Sequence, residues 1–235
     1  MSEFRDRLFG TRPQLPFVLP IIVFGAFLLG ESEFPQLKWL LYPLKAVTVG
    51  VCLWWLREEF KGLSWKWSWW GIVIGVVVAV QWIGMEKFFE AYWKYPPLPV
   101  MGGDAWDTEK LFNPVEEFGG RGLSFWLWIA FRMGGAVIVV PVMEELFWRG
   151  FLLRLFVGRY FERVQLGEFS WFSCLVVAGL FAMVHSWYIS AFVCALFYNW
   201  LLYKTKSIFA CVVAHALTNL LLWIYILRFD AWWLG

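Results

Sequence analysis

Two adjacent carboxylates, Glu144 and Glu145, interrupt an otherwise apolar run, Val139-Val140-Pro141-Val142-Met143-Glu144-Glu145-Leu146-Phe147-Trp148-Arg149-Gly150. An ionisable side chain inside a membrane helix costs about 2.5–3.5 kcal/mol on insertion scales, so each one calls for a compensating partner or a role. Pro141 predicts a helix break or start just before the acids, and a helix N-terminus favours negative charge. Glu145 and Arg149 stand four residues apart with the acid first, the order in which a helical ion pair forms best. Glu144 lies about 100° around the helix from Glu145 and has no partner on its own helix. Its carboxylate is the one free to act on a water. The competing reading is that both acids cap a helix at the headgroup level.

The chain has two histidines, both in apolar segments, Phe181-Ala182-Met183-Val184-His185 and His215-Ala216-Leu217-Thr218-Asn219. Phe181 and His185 share one helical face, as do His215 and Asn219, so each pair can project into a common cavity. A lone buried histidine is more often structural. Two of them, beside the Glu-Glu-x-x-x-Arg segment, favour one convergent site. Glu144, His185 and His215 are also the ligand set of a catalytic zinc site. Spacing does not separate the two chemistries, because the three residues come from three segments and no His-Glu-x-x-His is present.

The elements that must position these residues are membrane helices. The 235 residues are 61% hydrophobic and 16% charged, against roughly 45–50% apolar and about 25% charged in a soluble domain. Apolar runs recur at about 17–30, 37–56, 69–85, 125–140, 144–157, 171–185, 189–203 and 208–227. They predict an all-α, polytopic transmembrane bundle of about eight helices, a single integral membrane domain over 1–235 with its motifs in the half from about 124 to 227. Several runs fall short of the ~20 residues a full crossing prefers, so tilted and re-entrant segments belong to the expectation. Arg5, Arg7 and Arg12 precede the first run without a small-x-small cleavage site after it, which favours an uncleaved first helix over a signal peptide. The polar stretch 87–122, with Pro96, Pro97, Pro99, Pro114 and two Gly-Gly pairs, reads as a loop with room for a surface helix.

The net charge of +2 gives no reason to expect a nucleic-acid partner; the bilayer is the expected surroundings. Tryptophans cluster in Ser64-Trp65-Lys66-Trp67-Ser68-Trp69-Trp70, where amphipathic indoles suit the headgroup level. Cys52, Cys174, Cys194 and Cys211 lack metal-ligand spacing and read as small core hydrophobes. Lys45 and Arg132 lie within apolar runs and are expected to pair internally or to snorkel. Topology carries a conflict. Arg5, Arg7, Arg12, Arg57, Lys61 and Lys66 suggest one cytoplasmic side, but eight crossings put Arg159, Arg163, Lys204 and Lys206 outside. Fusing 125–157 into one broken crossing repairs the charges and sets Glu144 and His185 at different depths. Eight crossings with both termini cytoplasmic is therefore the expectation.

The three motifs, Glu144-Glu145-Leu146-Phe147-Trp148-Arg149, Phe181-Ala182-Met183-Val184-His185 and His215-Ala216-Leu217-Thr218-Asn219, match in order those of the CAAX protease and bacteriocin-processing family, which the sequence resembles over Glu144 to Asn219. The resemblance implies a membrane endopeptidase of the Ras-converting CAAX prenyl protease type, an eight-helix fold and an active site opening towards the cytosol. By it Glu144 is the general base, Glu145 and Arg149 complete the catalytic set, and His185 positions the water. His215 and Asn219 donate to the developing oxyanion, and Phe181 faces the substrate cavity. This is chemically coherent, since a tetrahedral intermediate needs a proton acceptor on one side and donors on the other.

The resemblance favours a metal-free mechanism, with no cofactor; zinc on Glu144, His185 and His215 is the alternative. The expected substrate is a membrane-anchored or lipidated protein or peptide, and the compact, tryptophan-rich chain resembles the bacterial members, which would place it in the inner (plasma) membrane. A non-catalytic immunity or assembly subunit is the competing class. A transporter is disfavoured, because the polar residues gather in one three-helix constellation without paired broken helices.

Overall fold

The computed structural model describes residues 9–92 and 112–234; Arg5, Arg7 and most of the expected 87–122 loop lie outside the described residues. No strand occurs among the described residues. Eight helices do, namely α1 (Leu15–Glu33), α2 (Lys38–Leu56), α3 (Trp69–Tyr92), α4 (Pro114–Glu117), α5 (Leu123–Leu155), α6 (Trp171–Met183), α7 (Tyr188–Thr205) and α8 (Ile208–Phe229). Five helices are long and apolar enough to cross a bilayer: α1, α2 with its flanking turns, α3, α5 and α8. Their outward residues include Ile22, Leu29, Val51, Trp54, Val80, Leu123, Ile138 and Ile224, all exposed. Lipid tails are the solvent that such a surface requires. The chain is an integral membrane protein.

Two of the expected segments, 125–140 and 144–157, are one continuous helix, α5, and this corrects the reading of Pro141 as a helix break or start. The helix passes the proline by widening. Residues Gly135–Val139 and Leu146–Leu152 wind as π-helix, and the Val140 N–H reaches back five residues to Gly135 O. In that register the donor due to Ala136 O would be residue 141, and proline has no N–H. Asn219 of α8 supplies it instead, its Nδ2 donating to Ala136 O at 2.7 Å. One lost backbone bond is thus met by a side chain, and the apolar helix continues. Glu144 and Glu145 consequently sit in mid-helix, without a helix N-terminus to favour their charge.

The fused helix also resolves the charge conflict. Ser207 Oγ donates to Lys66 O and Ile208 N to Ser64 O; Lys206 Nζ reaches Gly167 O, and Phe161 packs on Phe17 and Phe151. These contacts gather Arg12, Arg57, Lys61, Lys66, Arg154, Arg159, Arg163, Lys204 and Lys206 at one end of the bundle. The Arg121–Asp230 ion pair at 2.6 Å and the Phe125–Trp232 contact mark the other end. Phe9 and Leu234 therefore lie at opposite ends, and the expectation of both termini on one side is corrected. Trp67, Trp69 and Trp171 stand exposed near the cationic end, as interfacial indoles do.

α6 has 13 residues and so rises only about 20 Å, less than the ~30 Å of a hydrocarbon core. With α7 it forms a hairpin that enters from the cationic end and turns at residues 184–187. Non-helical backbone at such depth is tolerated only where protein buries it or it lines a cavity. Behind the hairpin, α3 and α8 approach closely. A Cβ on Gly75 would lie 2.8 Å from Ala214 O, and one on Gly71 2.8 Å from Ala210 O. Lys45, buried in α2, is paired with Glu31 of α1 at 2.9 Å. Arg132 stacks over the rings of Tyr42 and Trp223 at 4.1 and 5.5 Å. Both have the internal partners expected of structural charges.

Candidate active site

One cavity of about 170 Å³ is lined by Glu144, Phe181, His185, His215 and Asn219, together with Trp82, Cys194, Tyr198 and Trp223. Five helices, α3 and α5 to α8, and the α6–α7 turn thus converge where the sequence placed three motifs. Depth is no obstacle, because the re-entrant hairpin brings His185 down to the level that mid-helix Glu144 occupies. From His215 the lining runs away from the cationic end, towards Ile226 and Leu234.

Glu145 and Arg149 do not line the cavity; they lie behind it, with side chains wholly shielded from solvent. Arg149 Nη1 donates to Glu145 Oε1 at 3.2 Å, Nε to Asn199 Oδ1 at 3.2 Å and Nη2 to Ala195 O at 3.3 Å. The rings of Phe181 and Tyr198 flank the guanidinium at 5.1 and 5.2 Å. Asn199 in turn donates to Cys174 O at 3.2 Å. The same Glu145 Oε1 lies 2.9 Å from His215 Nδ1. One carboxylate oxygen therefore couples the arginine of α5 to the histidine of α8.

The two imidazoles are held by their Nδ1 atoms. His185 Nδ1 lies 2.7 Å from Phe181 O, and a carbonyl oxygen only accepts, so this nitrogen carries the proton. The His185 ring stacks on Phe181 with centroids 4.3 Å apart and meets Trp82 edge-on at 6.1 Å. In both histidines Nε2 is the nitrogen left for chemistry. In the neutral ring it accepts, and in the imidazolium it donates. Glu144 Oε2 is buried and has no hydrogen-bond partner among the described residues. Asn219 has spent one amide hydrogen on Ala136 O, which leaves a second.

Glu144, His185 and His215, the set considered for zinc, do not converge as a metal site. No three His, Cys, Asp or Glu side chains among the described residues are placed to hold an ion. Tyr198 and Thr218 complete the wall. Tyr198 Oη donates to Thr218 Oγ1 at 2.8 Å, and Thr218 Oγ1 to Gly75 O at 3.0 Å.

Residues 114–221 match the family described as type II CAAX prenyl endopeptidase, Rce1-like. This segment is an Rce1-like domain of the CAAX protease and bacteriocin-processing family. It takes in all three motifs and reaches from α4 into α8, leaving α1 to α3 outside. No curated protein and no solved structure matches the chain. The match supports, for this segment, a membrane protease of the CAAX type in general.

Sequence reasoning missed Trp82, Tyr198, Thr218 and Asn199. Asn199 carried a usable signal, being a polar residue in the middle of an apolar helix. Trp82 carried none, because it is one of 19 tryptophans in the chain.

Proposed function

We propose that the Rce1-like domain is a glutamate-dependent intramembrane endopeptidase in which Glu144 activates the attacking water. The observation that carries this reading is the buried, unpartnered Glu144 Oε2 beside an imidazole whose protonated nitrogen is already engaged by Phe181 O. Two acceptors, Glu144 Oε2 and His185 Nε2, take the two hydrogens of a water and leave its lone pair for a carbonyl carbon. As the oxygen adds, Glu144 takes the proton and the carbonyl oxygen becomes an oxyanion. His215, as an imidazolium paired with Glu145, donates from Nε2, and the second amide hydrogen of Asn219 donates beside it. The C–N bond then breaks, the proton on Glu144 passes to the leaving nitrogen, and an acid and an amine are released. Glu144, Glu145, Arg149 and protonated His215 sum to zero charge, which suits a site in hydrocarbon.

The substrate is a membrane-anchored or lipidated protein or peptide. With the cationic end in the cytoplasm, the cavity extends towards the outer half of a bacterial plasma membrane, rather than to the cytosolic side that the family resemblance implies. The test uses an internally quenched, prenylated peptide and the purified full chain in nanodiscs. Wild type is expected to cleave it, and Glu144→Gln, which keeps size and loses the proton acceptor, to remain folded and inactive. Chelator treatment is expected to leave wild-type cleavage unchanged. An active Glu144→Gln protein refutes the general base; loss of cleavage on chelation, restored by zinc, refutes the metal-free chemistry.

A further inference from the structure

A second carboxylate is buried among these helices. Glu86 of α3 is 4% exposed and accepts a hydrogen bond from Ser190 Oγ at 2.5 Å. Ser190 lies in the first turn of α7, immediately after the 184–187 turn that carries His185. From the preceding turn of α3, Gln81 Nε2 donates to Ser190 O at 3.4 Å. Trp82, four residues before Glu86 and hence on its face of the helix, makes a T-shaped contact with the His185 ring. One stretch of α3 thus holds the start of α7 through two polar contacts and touches the catalytic imidazole through a third, apolar one.

A turn at membrane depth needs such support, because its backbone and hydroxyl groups have no water to bond. A burial-tolerant apolar residue at position 86 would pack there at less desolvation cost than an acid. We propose that Glu86 is a positioning residue that fixes the α6–α7 turn, and with it the orientation of the His185 ring, from a helix outside the Rce1-like domain. This rests on the proposed role of His185, and it assigns to α3 a share in the site that the family match does not cover. Glu86 acts through Ser190 and does not touch the substrate. Phe181 O fixes one ring nitrogen of His185; the depth of the turn decides where the other points. Loss of the Glu86–Ser190 bond therefore moves Nε2 relative to Glu144.

The chain contains only two histidines, so the full-length protein labelled with ¹⁵N-histidine gives two sets of imidazole signals, assigned by His185→Gln. In nanodiscs, Glu86→Ala is expected to shift the His185 signals and leave those of His215 in place. Ser190→Ala, which removes the same bond from the other side, is expected to produce the same shift and serves if Glu86→Ala does not fold. Glu86→Gln still accepts from Ser190 Oγ and is expected to retain the wild-type spectrum. On the quenched prenylated peptide, Glu86→Ala should lower kcat by about 10- to 100-fold with little change in KM, as misplacement of a reacting group does, and Glu86→Gln should stay near wild type.

Unchanged His185 signals in both Glu86→Ala and Ser190→Ala, or equal displacement of His215, overturn the proposal. So does a Glu86→Gln protein as impaired as Glu86→Ala. A His185 signal that depends on Glu86 in a protein whose Glu144→Gln variant still cleaves would refute the general-base reading and leave the Glu86 linkage standing.

Discussion

Replacing Glu145 with glutamine tests the buried charge network most directly. In the native protein Arg149 is 0% exposed and shares its charge with one carboxylate, Glu145 Oε1, at 3.2 Å. Glu145→Gln leaves the guanidinium with the neutral acceptors Asn199 Oδ1 and Ala195 O. Breaking a buried ion pair by removing one member costs about 3–5 kcal/mol. The ring faces of Phe181 and Tyr198 offset part of that, at about 0.5–2 kcal/mol for a desolvated cation–π contact. The expected loss is about 2–4 kcal/mol. Adding Arg149→Leu removes the stranded cation. It also leaves Asn199 Oδ1 without its donor, at about 1–3 kcal/mol for a buried acceptor left unpaired, whereas Ala195 O, inside α7, keeps the helical N–H of Asn199, so only part of the loss is regained. The double variant should still be more stable than Glu145→Gln alone by about 1 kcal/mol. Unfolding of the detergent-solubilised chain by SDS or heat, followed by the fluorescence of its 19 tryptophans, reads this difference. A double variant no more stable than the single one would show that Glu145 does not compensate Arg149.

Three further outcomes follow from the geometry. Asn219→Ala should cost about 1–3 kcal/mol by orphaning Ala136 O, and this cost should shrink in a Pro141→Ala background, where residue 141 regains an N–H; an equal cost in both backgrounds refutes the link between the π-turn and Asn219. The same substitution should lower turnover by ~10²–10³, as loss of one oxyanion donor does, and a rate within threefold of wild type on the quenched peptide would remove Asn219 from the chemistry. Gly75→Ala places a Cβ 2.8 Å from Ala214 O and 3.0 Å from Leu217 Cβ, which should push α8 outwards at a cost of about 1–3 kcal/mol; Gly84→Ala, with nothing within 4 Å, is the control expected to stay within about 1 kcal/mol of wild type in the same unfolding assay.

The sequence by itself determined the solvent and the residue set. Apolar runs along the chain required membrane helices, and the cost of placing Glu144, Glu145, His185 and His215 in such runs marked them for a shared purpose. The i, i+4 spacing also brought Glu145 and Arg149 within reach of each other, because that contact is local to one helix. Three matters were decided only by tertiary structure. Pro141 reads locally as a helix break, yet α5 continues through it, because a π-turn and an amide from α8, 83 residues away in sequence, meet the missing donor. Whether His185 and Glu144 share a depth depended on a hairpin whose first helix is too short to cross, and helix length alone does not say which side of a neighbour it stops against. Glu86 lies between the apolar run 69–85 and the polar stretch 87–122, and nothing local marks it. Only packing of α3 against the start of α7 brings it to Ser190, because a hydrogen bond across 104 residues leaves no periodic trace in the sequence.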